Sequence, residues 1–327
     1  MPPPHDGNEP IPFEQLIQLE RLSKETFRSI ALPFAPRAPG SKPGLAYGGH
    51  VYMQAAWAAC LTVAEGFRLS ETSLHPASPP SRSHHVQNIR DGRSYCTRIV
   101  NVSHREGKGY MFTCTCVFKN PDDTLLDVQS SIDLWDKYHL ALAGKNPADF
   151  HPCPGYDNNS TVDMSTYNKT KHPLDRRQLV FYRSIGTIPN GNPNIHLCAQ
   201  LYASDRNSLF IVANAMDIGY LYTAMGSLVH QVIFHTNAED MDFGEDKGPE
   251  GSKWFAKEDW CTRYSGSRGL FYSRVWSPGG KHVMTITQDG MVKLPEDAGE
   301  QVGEIRKGWE GLEEEEIEAQ RKTKGRL

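Results

Sequence analysis

The side chains able to do chemistry in this chain are scattered, with no single compact motif among them. Seven cysteines are present: Cys60, Cys96, Cys114, Cys116, Cys153, Cys198 and Cys261. An odd number argues against a disulfide framework, and their mostly apolar or strand-like surroundings predict buried, reduced thiols. Cys114 and Cys116 share a strand face, but no second Cys or His pair completes a zinc set, so no metal is expected. His50, His230 and His235 have the chemistry of bases or ligands. On a strand, His230 and His235 face opposite sides and cannot hold one ion, and a structural role is expected of each of the three. His84-His85 sits in a polar stretch and reads as surface. Asp205, in Ser204-Asp205-Arg206-Asn207, reads by itself as an exposed helix acid, Ser227 beside Gly226 as a strand start, and Gln288 before Asp289-Gly290 as a residue entering a turn.

The elements that must position these residues follow from hydrophobic pattern. Phe13 to Ile30 carries apolar residues at helical spacing and predicts a short amphipathic helix. Gly48-Gly49 opens the segment His50 to Glu65, apolar nearly all round and rich in alanine, which predicts a helix buried on most of its surface. Tyr95 to Val102, Tyr110 to Phe118 and Leu125 to Ile132 read as an antiparallel meander with turns at Glu106-Gly107-Lys108-Gly109 and Asn120-Pro121-Asp122-Asp123. Residues 144 to 176, rich in Pro, Asn, Asp, Lys and Thr, read as a connection. The order then repeats: a helix at Ile195 to Ala213, strands at Ser227 to His235, Trp254 to Tyr264, Gly269 to Trp276 and His282 to Val292. A solvated helix at Glu304 to Lys324 closes the chain, its acids preceding its bases as the helix dipole favours.

The two halves can be laid over each other. Tyr95-Cys96-Thr97-Arg98 matches Trp260-Cys261-Thr262-Arg263, Gly109-Tyr110-Met111-Phe112 matches Gly269-Leu270-Phe271-Tyr272, and Val128-Gln129 matches Thr287-Gln288, at offsets of 159 to 165 residues in a chain of 327. A duplicated α+β unit, one buried helix followed by an antiparallel sheet, is the expectation. A net charge of −4 with interspersed signs gives no electrostatic case for nucleic acid, and no apolar run approaches the roughly 20 residues of a membrane span. The first ten residues are polar and Pro-rich, unlike a secretory signal. No Gly-rich dinucleotide or phosphate loop stands between a strand and a helix, so no cofactor is expected.

Gly48-Gly49-His50 with its Ala-rich helix, Arg90-Asp91-Gly92-Arg93-Ser94, Leu201-Tyr202-Ala203-Ser204-Asp205, Ser227-Leu228 through Phe234-His235, Arg268-Gly269-Leu270 and Thr287-Gln288-Asp289-Gly290 occur in this order. In this the chain resembles the acyl-CoA thioesterase II family, from about Phe13 to Lys293. The resemblance implies tandem hot-dog domains, each an antiparallel sheet wrapped around a long helix: 11–143 and 177–300, joined by a 144–176 linker and followed by a 301–327 tail. It implies hydrolysis of an acyl-CoA thioester to a carboxylic acid and CoA by direct attack of water, held by Asp205, Ser227 and Gln288. A carboxylate can accept the water's proton, and Ser and Gln can each donate and accept hydrogen bonds. Arg263, Arg268 and Lys281 are candidate contacts to the CoA phosphates. Two departures stand out: the family's Asp after Ser-Leu is Val229 here, and the family's apolar strand after the first helix is replaced by the polar, Pro-rich interval Arg68 to Ser83. They leave a non-catalytic acyl-CoA-binding or assembly protein as an alternative. A hot-dog hydratase or dehydratase is a second, although no Asp-x-x-x-x-His segment accompanies the second helix. Fused chains of this family commonly assemble further, and a sheet edge would support a homo-oligomer. The ending Lys324-Gly325-Arg326-Leu327 loosely resembles the Ser-Lys-Leu peroxisomal address, so the expected locations are cytoplasm or peroxisome.

Overall fold

The computed structural model describes residues 11–31, 47–76, 83–103, 109–122, 125–143, 145–153 and 156–324; the Gly325-Arg326-Leu327 ending lies outside them. Among the described residues thirteen strands form one sheet, every pairing antiparallel. In chain order they are β1 (Leu19–Arg21), β2 (Thr26–Ser29), β3 (Arg68–Pro76), β4 (Ser83–Asp91), β5 (Tyr95–Ser103), β6 (Tyr110–Lys119), β7 (His151–Cys153), β8 (Tyr156–Thr161), β9 (Gln178–Tyr182), β10 (Ala224–Phe234), β11 (Phe255–Ser265), β12 (Arg268–Trp276) and β13 (His282–Lys293). Across the sheet the order is β1-β2-β4-β5-β6-β3-β10-β13-β12-β11-β9-β8-β7. Read outward from the β3–β10 seam, β3, β6, β5, β4 and β2 on one side mirror β10, β13, β12, β11 and β9 on the other. The strand irregularities mirror too: between Leu69 and Glu71 on β3 and Ser227 and Val229 on β10, between Asn88 and Arg90 on β4 and Cys261 and Arg263 on β11, and between Val102 and Ser103 on β5 and Val275 and Trp276 on β12.

Two helices lie against each other and against this sheet: α1 (Gly48–Cys60) and α2 (Asn194–Ser204). Of α1, all but Gly48 and Trp57 is buried, which accounts for its all-round apolar composition. Its alanines let the strands of the first half approach closely. A shorter helix, α3 (Phe210–Ala215), covers β11 and β12, and α4 (Gly299–Lys324) ends the described chain. The Trp309 indole on α4 donates to Asp217 (2.9 Å).

Several sequence expectations are corrected. Phe13 to Ile30 is not one helix: a single turn at Phe13–Leu16 gives way to the β1–β2 hairpin, since so short a segment is a marginal helix unless packing holds it. The Ile195 to Ala213 helix is broken after Ser204. Leu125 to Ile132 forms no strand, and Leu125, Leu126 and Val128 are exposed. The 144–176 interval carries β7 and β8, which extend the sheet beyond β9. The described part of the polar interval after α1, Arg68–Pro76, is a central strand: β3 lies between β6 and β10. Leu69, Thr72 and Leu74 supply its buried face, whereas Glu71, on the other, accepts from Gln231 (2.7 Å). A strand with one wet face needs only alternation. The repeat exists one strand out of the expected register: Tyr95 to Arg98 lies on β5, whose mirror is β12, not β11. Gln129 lies outside the strands, where it donates to the Gly280 carbonyl and accepts from the His282 amide.

Candidate active site

The site forms where the C-terminal end of α2 meets the N-terminal end of α1. Asp205 caps α2, and its carboxylate is 14% exposed. Its Oδ2 accepts the Gly49 N–H at 2.9 Å, so an acid of the second half is held by the first turn of the helix from the first half. Both glycines of the Gly48-Gly49 pair are demanded by this approach: a Cβ at Gly48 would stand 2.6 Å from Asp205 Oδ2, and one at Gly49 2.6 Å from the Tyr202 carbonyl oxygen. The Tyr47 hydroxyl donates to that same carbonyl (2.5 Å).

Asp205 Oδ1 accepts from the Ser208 hydroxyl (3.2 Å) and lies 3.5 Å from Gln288 Nε2. Gln288 is fully buried on β13, and its Nε2 also donates to Ser227 Oγ. Asp205, Ser227 and Gln288 therefore converge on one point. The bulge at Leu228 makes this possible. By simple alternation Ser227 and His230, three residues apart, would face opposite sides of β10; the extra residue returns Ser227 to the inner face shared with His230 and its cross-strand partner Gln288. Gln288 Oε1 is buried with no protein partner, an acceptor left over at the centre of the cluster.

Around this cluster Gly290 and Gly269 give room to α3 and the turn before it. A Cβ at Gly290 would meet Leu209 at 2.2 Å, and one at Gly269 would meet Val212 at 2.4 Å. His230, expected to be structural, lies against the site: it is fully buried, with Nδ1 3.7 Å from Asp205 Oδ1 and Nε2 3.0 Å from Ser204 Oγ. The Ser204 hydroxyl donates its proton to the Leu201 carbonyl (2.8 Å), so it accepts from His230 Nε2. In the neutral ring Nδ1, facing the carboxylate, then carries no hydrogen. The alternation that separated His230 from His235 holds, His235 being exposed. His84, expected at the surface, is fully buried and bonds Ser29 Oγ (3.1 Å), and burial lowers its pKa to about 3. His50, one residue beyond Gly49, is buried too, with its pKa lowered to about 4 by desolvation.

The three cationic candidates do not converge. Arg268, at the start of β12, pairs with Asp289, next in sequence to Gln288. Arg263 is exposed on the neighbouring β11. Lys281 pairs with Asp240 (2.9 Å) at the far end of β13, seven residues from Gln288 and so about 23 Å away along the strand. Among the described residues no helix is long and apolar enough to cross a membrane.

Two family models match the chain: that of the acyl-CoA thioesterase N-terminal domain over residues 37–119, and that of the acyl-CoA thioesterase C-terminal domain over residues 143–292. Acyl-coenzyme A thioesterase 8 of Mus musculus is 27% identical over 282 residues, 76% of this chain and 80% of that one; its Homo sapiens counterpart is 26% identical over the same shares. Among solved structures, the acyl-CoA thioesterase II TesB2 of Mycobacterium marinum superposes with a TM-score of 0.65 at 20% identity, covering 87% of this chain and 99% of that one. A protein of hot dog fold from Alicyclobacillus acidocaldarius superposes with a TM-score of 0.63 at 16% identity, covering 86% and 98%. These similarities identify the fold.

Proposed function

The chain belongs to the acyl-CoA thioesterase family and hydrolyses acyl-CoA thioesters, and we propose that it does so by direct water attack at the Asp205–Ser227–Gln288 cluster. The observation that carries this reading is the convergence of the three side chains, from a helix end and two strands, with one buried acceptor to spare. A water placed among them gives one hydrogen to Asp205 and one to Gln288 Oε1. It accepts the Ser227 hydroxyl proton on one lone pair and keeps the other for the thioester carbonyl. As the carbon–oxygen bond forms, the proton passes to Asp205. Collapse of the tetrahedral intermediate breaks the carbon–sulfur bond, and the CoA thiolate leaves and recovers a proton from Asp205. Thiolates are good leaving groups, so the barrier lies in the addition step, where a positioned base and a fixed water direction count most.

Two tandem hot-dog units, 11–143 and 177–300, best account for the mirrored strand order, with β7 and β8 of the 144–176 connection extending the second unit's sheet and 301–327 as a tail. The apolar chain of the substrate gains about 0.8 kcal/mol for each CH₂ it buries. Arg268 and Arg263 are the proposed contacts to the CoA phosphates; Arg268 stands on β12, which pairs with β13 beside Gln288, and Arg263 on β11, one strand further out, whereas the distance to Lys281 sets that residue aside. Val229, where the resemblance has an acid, follows the bulged Leu228 and leaves the Asp205–Ser227–Gln288 contacts intact. Free-thiol release from a panel of acyl-CoAs tests the function, and intact-mass measurement of enzyme quenched during turnover tests the mechanism. Thiol release without an acyl adduct is expected; an adduct of the acyl mass would replace direct water attack with a covalent route.

A further inference from the structure

Behind the turn that carries Asp205 lies a charge pair with no part in the chemistry just described. Lys257 and Asp259 alternate along β11 and both point inward, their side chains only 5% and 2% exposed, with Lys257 Nζ 3.6 Å from Asp259 Oδ2. The hydroxyl of Ser273, fully buried on β12, donates to Asp259 Oδ1. Lys257 Nζ also donates to the main-chain carbonyl of Arg206, 3.1 Å away, and Arg206 is the residue after Asp205. The chain there is in a demanding conformation: α2 has just ended, and Asn207, not a glycine, takes a positive φ of 54°. In the mirrored places on β4 of the first half stand His84 and Val86, with no such pair.

Burying two opposite charges is poor design for stability alone, because desolvation offsets most of their attraction and apolar replacements are often as stable or more so. A buried ammonium does, however, give a strong, fixed donor, and here that donor is spent on the carbonyl of Arg206, the residue that follows the proposed base. We propose that Lys257, held by Asp259 and Ser273, is a positioning residue: by anchoring the Arg206 carbonyl it sets the direction from which Asp205 meets the water. The inference rests on the reading of Asp205 as the base.

The test separates positioning from stability. In the all-apolar variant Lys257→Met/Asp259→Val/Ser273→Ala, the melting temperature stays close to that of the parent while kcat falls about 10- to 100-fold with KM unchanged, the scale of effect that a small displacement of a reacting group produces. The loss disappears in an Asp205→Asn background, where no base remains to be positioned. A folded variant with kcat within twofold of the parent, or a loss that multiplies fully with that of Asp205→Asn, overturns the proposal. If the triple variant fails to fold, Lys257→Gln serves: its amide stops about one bond short of the Arg206 carbonyl, so kcat should drop with KM unchanged, and parental kcat overturns the proposal equally. Should Asp205→Asn itself hydrolyse at the parental rate, the reading of the active site fails; if Asp205→Asn is slow and the Lys257 variants are fast, only the positioning role fails.

Discussion

Laid over each other along their shared strand order and bulges, the two halves of the molecule differ most at three positions. Where α2 ends on Asp205, α1 ends on Leu61. Where the bulge of β10 turns Ser227 inward, the bulge of β3 does the same for Leu69. The pairing that sets Gln288 opposite His230 sets Cys116 opposite Thr72 in the first half. The same backbone device thus turns a polar Ser227 inward in one half and an apolar Leu69 inward in the other. Near the first-half counterpart, buried Arg98 donates to Thr62 Oγ1, the Thr62 carbonyl and the Arg90 carbonyl, and Asn194 spans the Phe67 carbonyl and the Leu69 amide. These backbone groups are occupied by the protein itself. Yet the first half is not a spectator, because the Gly49 amide that holds Asp205 belongs to it. On the proposed reading, one site is assembled from both halves, with its side chains from the second and part of its scaffold, the Gly49 amide, from the first.

The comparison can be broken most severely by removing the second-half set together: Asp205→Asn/Ser227→Ala/Gln288→Leu should lower kcat about 10⁴-fold. Steady-state thiol release checks this, and substantial residual turnover would locate the chemistry elsewhere. Gln288→Leu alone should lower kcat about 100-fold with little change in KM, since it removes a group that orients the water. Gly48→Ala comes next: the added methyl displaces the Asp205 carboxylate, so kcat should fall about 10-fold although the change lies in the other half. Arg98→Met should sharpen the contrast from the opposite side, costing about 1–3 kcal/mol in denaturant unfolding with kcat untouched.

Acid sensitivity, which leaves kcat at neutral pH untouched, is centred on the first half. Burial holds His84 neutral, with its pKa down at about 3, and His50 at about 4, against 6.5 for a free ring. Below pH 6.5 the unfolded chain therefore binds protons that the folded chain refuses. Their contribution to stability is fully present above pH 6.5 and is lost as the pH falls through about 4 for His50 and about 3 for His84. Thermal melts from pH 7 to 4 should show this slope, and His84→Gln should flatten it; an unchanged slope would assign the acid limb to other groups.

Much of the sheet was readable from residue pattern: six of its long strands (β5, β6, β10, β11, β12 and β13) follow β-rich runs, and α1 follows from an alanine-rich segment too apolar to face water. The strand β3 escaped because Ser70, Glu71 and Ser73 dilute its hydrophobicity, although Leu69, Thr72 and Leu74 suffice for its one buried face. The repeat was visible but misaligned, because short matches such as Cys-Thr-Arg recur on β5 and β11, which are not mirror strands. For the site, residue types pointed to Asp205, Ser227 and Gln288 only with the family pattern in hand. Two features were beyond any pattern: the bulge that turns Ser227 onto the face of His230, and the reach of the Gly49 amide across 156 positions to Asp205. Neither alternation nor propensity encodes a bulge or a contact between helix ends so far apart in sequence. Lys257 and Asp259 were missed for a related reason, since a Lys-x-Asp pair on a strand reads as solvated until burial on that face is known.

The central claim, that the base lies in the second half alone, is tested most directly by the single-turnover rate of thioester cleavage in Asp205→Asn, with acyl-CoA bound and enzyme in excess. The account predicts a fall of about 10² to 10⁴-fold in that rate with substrate affinity nearly unchanged. Cleavage at the parental rate would contradict it.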